Sequence, residues 1–417
     1  MPARFQLHPL GSIIAGFEAG VSVNGDDRPA ESGEPGVLKV SAVGMGRFLP
    51  GENKAVVNGD RHRVGPAVGR GDILVTRANT HDLVGAAAAV DADYPRLHLS
   101  DKTWRVVLLE DDIQTRTWLL YALNSPPVRA ELRRRATGTS GSMKNISQDA
   151  YLDIRVPVPP PEERGWIGKV LATWQGGLDR IQALLAAKRR LRRGLMQQLL
   201  TGTRRFREFV QSEGTRITRF GAIPESWGYE ALADLASEVS RRAIAGDSAP
   251  VLACSKYEGL VDSLQYFGRR VFSADKANYK VVRQGQFAFP ANHIEEGSIG
   301  LLQAVPTGLV SPIYIVFEVH ERLIPEFLYA VPKTDMYRHI FATSTKASVD
   351  RRGSLRWSEF SRIHVPVPPL GEQQRIVEAL ASLDREIAAV EKLGGLLDRQ
   401  KRGLMQQLLT GQIRVKV

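Results

Sequence analysis

Two stretches of the chain carry apolar residues at an alternating spacing of four and three, which is typical of helices packed against one another. The apolar positions are Ile167, Leu171, Trp174, Leu178, Ile181, Leu185, Leu195 and Leu199 in the first stretch, and Ile376, Leu380, Leu383, Ile387, Val390, Leu397, Leu404 and Leu408 in the second. Prolines precede each stretch and exclude an earlier helix start. The pattern predicts two helices of roughly 35–40 residues, or about 55–60 Å in length. Glycine pairs interrupt both helices, at 176–177 and 394–395, and we expect bends or close approaches there.

Shorter apolar runs in front of each long helix predict strands. They read "GVLKVSAV", "GDILVTRA", "TWRVVLL", "GQFAFPA" and "PIYIVFEV", and they are rich in β-branched and aromatic residues bounded by Gly, Pro or Asn. Helical stretches such as "TRTWLLYALNS" and "LIPEFLYAV" lie between them. The sequence therefore predicts an α+β protein with two mixed α/β domains, each followed by a long helix.

An internal repeat relates the two halves of the chain. "RGLMQQLLTG" occupies 193–202 and 402–411, and "VPVPP" occupies 156–160 and 365–369, so both recurrences are 209 positions apart. Three apolar positions, Ile146, Tyr151 and Ile154, stand at the same distance before Leu355, Phe360 and Ile363. A duplicated unit follows, and the predicted domains are 1–155, 156–212, 213–364 and 365–417.

Each long helix must bury its apolar stripe, and the two helices of one chain can pack on each other. The antiparallel choice is favoured because the first helix ends at Thr201 and Gly202, and a domain of about 145 residues must form there before the second begins. The expected arrangement is two mixed domains related by an approximate twofold and joined by an antiparallel coiled coil. Good helix formers and a glycine cap explain the composition of the repeated ten residues, but not their identity.

Composition adds a basic bias to this picture. The 417 residues carry a net charge of +11, which makes a polyanionic partner plausible. The excess is concentrated in "KRRLRRG" and "TRRFRE", and we predict phosphate contacts from Arg189, Arg190, Arg192 and Arg193; a solvated helix face is the alternative. The longest apolar run, 83–90, is too short to span a membrane, so no membrane partner is expected. The single cysteine, Cys254, suits a reducing cytoplasm and is predicted to be a buried hydrophobe.

The chain carries no complete motif for catalytic chemistry. "NSPPV" at 124–128 lacks the aromatic residue of an amino-methyltransferase motif, and it is predicted to be a turn that ends a helix. "GTSGSMKN" at 138–145 lacks the glycine and the hydroxyl residue of a phosphate loop. The histidines show no metal-ligand spacing, and one cysteine cannot build a thiolate zinc site. The sequence thus predicts no catalytic residues, no metal site and no cofactor.

Polar loops at matched places in the two halves are the predicted DNA contacts. "TRANTHD" follows one predicted strand and "PANHIEEG" follows its counterpart, while "TGTSGSMKN" and "STKASVDRRGS" precede the last strand of each half. Such side chains can reach base edges and phosphates, although most loops of this kind are only solvated turns. The candidates are Arg77, Asn79, Thr80, Thr139, Ser140, Ser142, Lys144 and Asn145 in the first half, and Asn292, His293, Lys346, Arg351, Arg352 and Ser354 in the second.

These features resemble the specificity subunits of type I restriction–modification systems. The resemblance rests on two globular parts closed by "VPVPP", on long helices that include "GEQQRIVEAL", and on "RGLMQQLLTG" at both helix ends. "GAIPESWGYEALADLA" at 221–236 is similar to the usual opening of a second recognition unit. The first copy departs from the pattern by reading "PEERGWIGKV", and its start lacks the Ile-Pro-x-x-Trp lead.

The resemblance implies two target recognition domains that read the halves of a split, asymmetric site in double-stranded DNA. The paired helices would act as a spacer and would dock two modification subunits, to which restriction subunits are added. S-adenosylmethionine, ATP and Mg would belong to those partners, and the chain itself would be cytoplasmic and non-catalytic. Two other classes stay open: a non-catalytic DNA-binding adaptor or regulator without methyltransferase partners, and a stand-alone enzyme.

Overall fold

Two compact units divide the chain in the computed structural model. The structure describes residues 4–415 except 139–142, 211–213, 220, 245–246, 256–257, 274, 292–297 and 347–354, and it leaves the side chains of 342–346 undescribed. Unit 1 comprises Met1–Ala183 and Lys392–Val417, and unit 2 comprises Leu184–Glu391. Each unit thus contains one mixed domain and one part of each long helix. The predicted domain divisions after residues 155, 212 and 364 follow the repeat and stay a prediction.

Unit 1 combines a four-stranded, a five-stranded and two two-stranded sheets with three short helices and parts of the long ones. Its strands are β1 Leu7–Pro9, β2 Ile14–Ala19, β3 Gly25–Asp26, β4 Gly36–Leu38, β5 Asn53–Val56, β6 Ala67–Val68, β7 Ile73–Thr76, β8 Ala78–Asn79, β9 Ala87–Ala89, β10 Tyr94–His98, β11 Thr103–Leu108, β12 Lys144–Asn145 and β13 Arg155–Pro157. Its helices are α1 Ile113–Leu123, α2 Pro126–Arg135, α3 Gln148–Leu152, the first part of α4 Pro161–Leu200 and the last part of α10 Leu370–Thr410.

The sheets of unit 1 enclose separate cores. An antiparallel sheet of order β2-β11-β7-β9 packs with α1, α2 and the long helices through Trp118, Tyr151 and Leu171, among others. A second sheet, of order β3-β5-β4-β10-β6, covers a smaller core around Leu38 and Val90 and contains the parallel pair β4–β10. The predicted strand "GVLKVSAV" is a strand only over its first three residues, because the chain turns into a 3-10 helix at Val40–Ala42.

Unit 2 repeats the four-stranded sheet of unit 1, while its other described strands form two-stranded sheets. Its strands are β14 Thr215–Thr218, β15 Gly221–Pro224, β16 Gly228–Ala231, β17 Ala236–Glu238, β18 Leu252–Ser255, β19 Gly259–Asp262, β20 Lys280–Arg283, β21 Phe287–Pro290, β22 Gly300–Leu301, β23 Thr307–Val310, β24 Tyr314–Val319 and β25 His364–Val367. Its helices are α5 Leu232–Leu235, α6 Ser263–Phe267, α7 Pro325–Ala330, α8 Asp335–Lys346, α9 Trp357–Phe360, the second part of α4 and the first part of α10 Leu370–Thr410.

Strand order confirms that the duplication includes the mixed domains. The sheet β17-β24-β21-β22 has the order of β2-β11-β7-β9, and β25 pairs with β16 as β13 pairs with β1. Strands β7 and β21 are the predicted "GDILV" and "GQFAF" runs, and helices α1 and α7 lie in the two predicted helical stretches. The predicted α+β class with two mixed domains is therefore confirmed.

The long helices pack antiparallel within each unit. They are 40 and 41 residues long, close to the predicted length. In unit 2, Lys188 Nζ lies 2.5 Å from Glu386 Oε2, and Arg192 Nη2 lies 2.9 Å from Asp384 Oδ2. Residue numbers therefore increase along one helix in the direction in which they decrease along the other.

In unit 1, the Lys401 ammonium donates to the Gln175 side chain, and this contact agrees with the same antiparallel packing of α4 and α10. Both helices continue through their glycine pairs. Gly394 marks a close approach, because a Cβ there would lie 3.1 Å from Ile181 Cγ2.

The repeated ten residues end each long helix against the mixed domain of the same unit. Gly202 and Gly411 follow the helices at φ +71° and +73°, a left-handed conformation that favours glycine. A Cβ on Gly202 would collide with Pro224 and approach Trp227, and a Cβ on Gly411 would press on Phe5. Phe5 and Trp227 each stand two residues before strand positions that pair with equivalent partners. Phe5 thus occupies in unit 1 the position that Trp227, the tryptophan of the Ile-Pro-x-x-Trp lead, occupies in unit 2.

Candidate nucleic-acid interface

The two predicted DNA-contact segments of the first half lie side by side. Strand β12 pairs with β8, with Lys144 opposite Asn79 and Asn145 opposite Ala78. The next residue, Ile146, donates its backbone N–H to the carbonyl of Arg77 at 3.0 Å. One edge of unit 1 therefore gathers side chains from segments that sequence reasoning treated as separate loops.

The same junction recurs in unit 2. The backbone N–H of Leu355 donates to the carbonyl of Ala291 at 2.8 Å, and Leu355 stands 209 positions after Ile146. In each unit the acceptor is the residue directly after the strand that precedes the first polar loop, β7 or β21. The donor is the first residue of the segment that follows the second polar loop. The duplication thus preserved the place where the two loops begin and end.

Several predicted contact residues lie outside the described residues. These are Thr139, Ser140 and Ser142 in the first half and Asn292, His293, Arg351, Arg352 and Ser354 in the second. Lys346 is the last residue of α8, and its side chain is undescribed. Contacts from these residues stay a prediction.

The described candidates differ in how far they reach solvent. Arg77 and Thr80 are exposed, and Lys144 and Asn145 are half-buried. The Arg77 guanidinium Nη1 is 3.4 Å from the carbonyl of Asp101, and Lys144 Nζ donates to the carbonyl of Gly138 at 2.6 Å. A guanidinium, an ammonium, an amide and a hydroxyl thus converge on one edge, and these groups suit phosphate and base-edge contacts.

Asn79 is buried rather than presented to solvent. Its side chain is 6% exposed, and its Oδ1 accepts the backbone N–H of Thr80 at 2.8 Å. Its Nδ2 is buried without a hydrogen-bond partner in the described part of the chain. Asn79 therefore shapes the turn after β8, and a direct base contact from it stays a prediction.

Arg129 belongs to this region although sequence reasoning missed it. It lies on α2, is 3% exposed, and donates to the carbonyls of Asp82 at 2.6 Å and Val84 at 2.8 Å. Burial holds the pKa of this guanidinium below its usual value. In the sequence, "VRAELRRR" has the composition of a solvated helix face, so nothing marked one of its arginines as buried.

The arginine cluster on α4 divides into two kinds of side chain. Arg189 pairs with Glu391 at 2.6 Å, and Arg192 pairs with Asp384, so both take part in helix–helix ion pairs. Arg190 and Arg193 are exposed, and neither forms an ion pair within 4.0 Å among the described residues. Arg190 and Arg193 are thus accessible to a phosphate or to a protein partner, and the predicted phosphate contacts of all four arginines stay a prediction.

The repeated ten residues present an identical exposed face in each unit. Leu199, Leu200, Leu408 and Leu409 are buried, and core packing accounts for them. The exposed members are Arg193, Gly194, Gln197 and Gln198 in unit 2 and Arg402, Gly403, Gln406 and Gln407 in unit 1. In unit 1, Arg402 and Gln406 line a cavity of about 440 Å³ together with Pro126 and Pro127. Internal packing does not require identity at these exposed positions.

Metal-binding clusters and membrane-spanning helices are both missing from the described residues. Among them, no group of three or more His, Cys, Asp or Glu side chains could hold a metal ion. Helices with the length and apolarity needed to cross a membrane are likewise not found among them.

Comparisons with known proteins show what the chain is similar to. Residues 277–394 match the family model described as type I restriction modification DNA specificity domain. The type I restriction enzyme EcoEI specificity subunit of Escherichia coli is 34% identical over 167 residues, which are 38% of this chain and 27% of that protein. The type I restriction enzyme MjaVIII specificity subunit of Methanocaldococcus jannaschii is 22% identical over 311 residues, 72% of this chain and 70% of that protein. The match thus spans about a quarter of the bacterial relative and most of the archaeal one.

Solved structures agree in fold. The type I restriction–modification S subunit from M. genitalium has a TM-score of 0.59 at 14% identity, covering 97% of this chain and 96% of that one. A chain from a study of complex assembly and conformational transition of the type I R-M system has a TM-score of 0.52 at 14% identity, with 99% of both chains covered. The fold is a duplicated one in which each mixed domain is followed by a long helix. Residues 277–394 match the DNA specificity domain of type I restriction–modification systems, and the chain is similar to specificity subunits of such systems.

Proposed function

We propose that the chain reads a split, asymmetric site in double-stranded DNA, with each mixed domain reading one half. The observation that carries the proposal is the pair of equivalent bonds from Ile146 to Arg77 and from Leu355 to Ala291. Each bond brings the ends of two polar loops together at one edge of a rigid sheet. Different loop residues on a shared frame are what two independent readings of base sequence require.

Charge supports the same proposal. The net charge of +11 favours association with a polyanion, and Arg77, Lys144 and Arg190 supply cations that can reach phosphates. Phosphate contacts fix register, and loop side chains then read base edges. In this assignment the paired helices act as the spacer between the two half-sites.

We further propose that the two identical exposed faces bind two copies of one modification subunit. Equivalent contacts to identical partners explain why Arg193, Gln197 and Gln198 recur as Arg402, Gln406 and Gln407 on the surface. Restriction subunits join that complex, and the chain contributes recognition rather than catalysis. S-adenosylmethionine, ATP and Mg are assigned to the partners.

The test is an exchange of one recognition domain. Residues 1–155 are replaced by the first domain of another family member, and methylation-aware sequencing of the host genome reads the modified sites. One half of the recognised sequence should change while the other stays the same. The reciprocal exchange of residues 213–364 is the matched control and should change only the other half. If either exchange altered both halves together, independent reading by the two domains would be wrong.

A further inference from the structure

A buried arginine on α2 makes its hydrogen bonds to loop carbonyls. Both side-chain hydrogen bonds of Arg129 in the described chain end on main-chain oxygens, those of Asp82 and Val84, and its Nε is buried without a partner there. Burying a charge is costly unless it is well paired. A neutral apolar side chain would fill the same interior position at lower cost, so packing alone does not explain an arginine here.

The segment that Arg129 holds is the loop from β8 to β9. This loop begins at Thr80 and lies three residues after Arg77, and these two residues are the exposed candidates of unit 1. Its inner end is anchored in other ways, because the Tyr151 hydroxyl donates to the carbonyl of Gly85, and Asn124 Nδ2 donates to the carbonyl of Ala87. Gly85 has φ +70°, and a Cβ there would lie 2.7 Å from Leu132 of α2. The bond from Arg129 to Asp82 reaches the outer part of the loop.

The duplicated counterpart of Arg129 behaves differently. Arg338 stands 209 positions later, and the helix start is the same: Arg129 N donates to Ser125 O at 2.9 Å, and Arg338 N donates to Thr334 O at 3.1 Å. The Arg338 side chain is 45% exposed and pairs with Asp335 at 2.7 Å. Both copies have arginine at this helix position, but only the first copy buries it under a candidate recognition loop.

We propose that Arg129 is a positioning residue for the first half-site, holding the Asp82–Val84 backbone so that Arg77 and Thr80 meet DNA in a fixed geometry. The inference rests on the proposed DNA-reading function. It assigns sequence discrimination in unit 1 to a side chain that touches no base. Arg338 is 45% exposed and pairs with Asp335, so the assignment is made for unit 1 alone.

The test compares Arg129→Met and Arg129→Lys with Arg338→Met in the full chain. Two quantities are measured: hydrogen exchange of the amides in residues 78–86, and base preference in binding a library of duplexes randomised across the target. For R129M we expect loop exchange to rise by about tenfold or more, because hydrogen bonds from a charged donor are strong. Discrimination at one half-site should fall by about fivefold or more, with the other half-site unchanged. R129K should lie between R129M and the natural chain, and R338M should leave both quantities unchanged.

Each other outcome has a separate meaning. Faster loop exchange in R129M with unchanged base preference at both half-sites would overturn the positioning role. Equal loss at both half-sites would show general damage and would also overturn it. If R129M does not fold, R129K decides, because lysine keeps the charge and can reach one of the two carbonyls. A natural chain without base preference at either half-site would instead remove the proposed function, and this inference with it.

Discussion

Arg205 and Glu372 form a buried ion pair in which two guanidinium nitrogens lie 2.8 and 2.7 Å from the two carboxylate oxygens. The two side chains are 8% and 1% exposed, and the Trp227 indole also donates to Glu372 at 2.9 Å. The same pair recurs in unit 1 between Arg414 and Glu163, each 209 positions from its counterpart. Each pair joins the segment after a repeated ten-residue string to the first turn of the opposite long helix.

Breaking the buried pair should destabilise the protein strongly. Arg205→Met leaves the Glu372 carboxylate buried and unpaired, and we expect a loss of about 3–5 kcal/mol in the free energy of unfolding. The double variant R205M/E372Q should recover much of that loss, since a neutral amide still accepts from Trp227. Urea denaturation monitored by circular dichroism measures both. Arg414→Met is the control: its side chain is 37% exposed, so its loss should be smaller. Equal losses at the two sites would contradict this ranking by burial.

The ion pair between Glu163 and Arg414 should make the free energy of unfolding depend on pH in the acidic range. The Arg414 guanidinium holds the pKa of Glu163 below its ordinary value of 4.5. Its contribution is therefore full above pH 4.5 and is lost as the pH falls through the lowered pKa. Urea midpoints measured from neutral pH downward should fall less steeply in R414M than in the natural chain. Parallel curves for the two proteins would argue against a stabilising Glu163–Arg414 interaction.

Substitutions of Arg190 and Arg192 on α4 should have different effects, the first on DNA binding and the second on stability. Arg190→Gln should flatten the salt dependence of DNA binding by up to ~0.9 log units for each phosphate that is no longer neutralised, with stability unchanged. Arg192→Gln should leave the salt slope as it is and cost at most ~1 kcal/mol of stability, because its pair with Asp384 is partly exposed to solvent, the two side chains being 33% and 49% exposed. Binding isotherms at several salt concentrations, with a melting curve for each variant, distinguish the two. An unchanged slope for R190Q would assign that residue to a protein partner or to solvent.

A charge placed on either repeated face should remove one partner subunit. Gln197→Arg and Gln406→Arg each add a cation to an exposed position of the proposed docking face. Each single variant should bind one modification subunit instead of two, and the double variant should bind none. Native mass spectrometry or light scattering of the purified complex gives the count. Gln182→Arg is the matched control, because the residue is exposed on the same helix but outside the repeat. Full assembly by the double variant would refute the docking assignment.

Lengthening α4 tests the proposed spacer role. Four residues inserted after Arg192 add about one helical turn, near 6 Å, which corresponds to one or two base pairs at ~3.4 Å per pair. The helix seam can re-form with a local stutter. The modified sites should keep both half-sequences with a longer gap between them, as read by methylation-aware sequencing. An active variant with the gap unchanged would show that the helices do not set that distance.

The repeat explains why so much of the fold could be predicted. A fixed offset of 209 positions constrained both copies at once, so Ile167 and Ile376 were both expected in a helix seam and both are buried. Strands β7 and β21 were predictable for a related reason, since fully buried strands are continuous apolar runs. The parallel pair β4–β10 was not predicted, because its partners are short and lie far apart in the chain.

The features that could not be predicted depend on the structural surroundings of a residue and not on its type. Arg129 and Arg338 are the same residue at the same helix position, yet one is buried and the other pairs in solvent. Phe5 could not be predicted to be the counterpart of Trp227, because the two residues are 222 positions apart whereas the repeated helices are 209 positions apart. Loop geometry likewise placed Asn79 inside and Arg77 outside, although both belong to one polar segment.

The division of the long helices between the units also sets an order of events during synthesis. Unit 2 is one continuous segment, Leu184–Glu391, and every residue of its main core has been synthesised before α10 is complete. Unit 1 must wait, because its core includes Met405, Leu408 and Leu409. The first domain to be translated is therefore the last to close, and the apolar side of its half of α4 stays uncovered for most of translation.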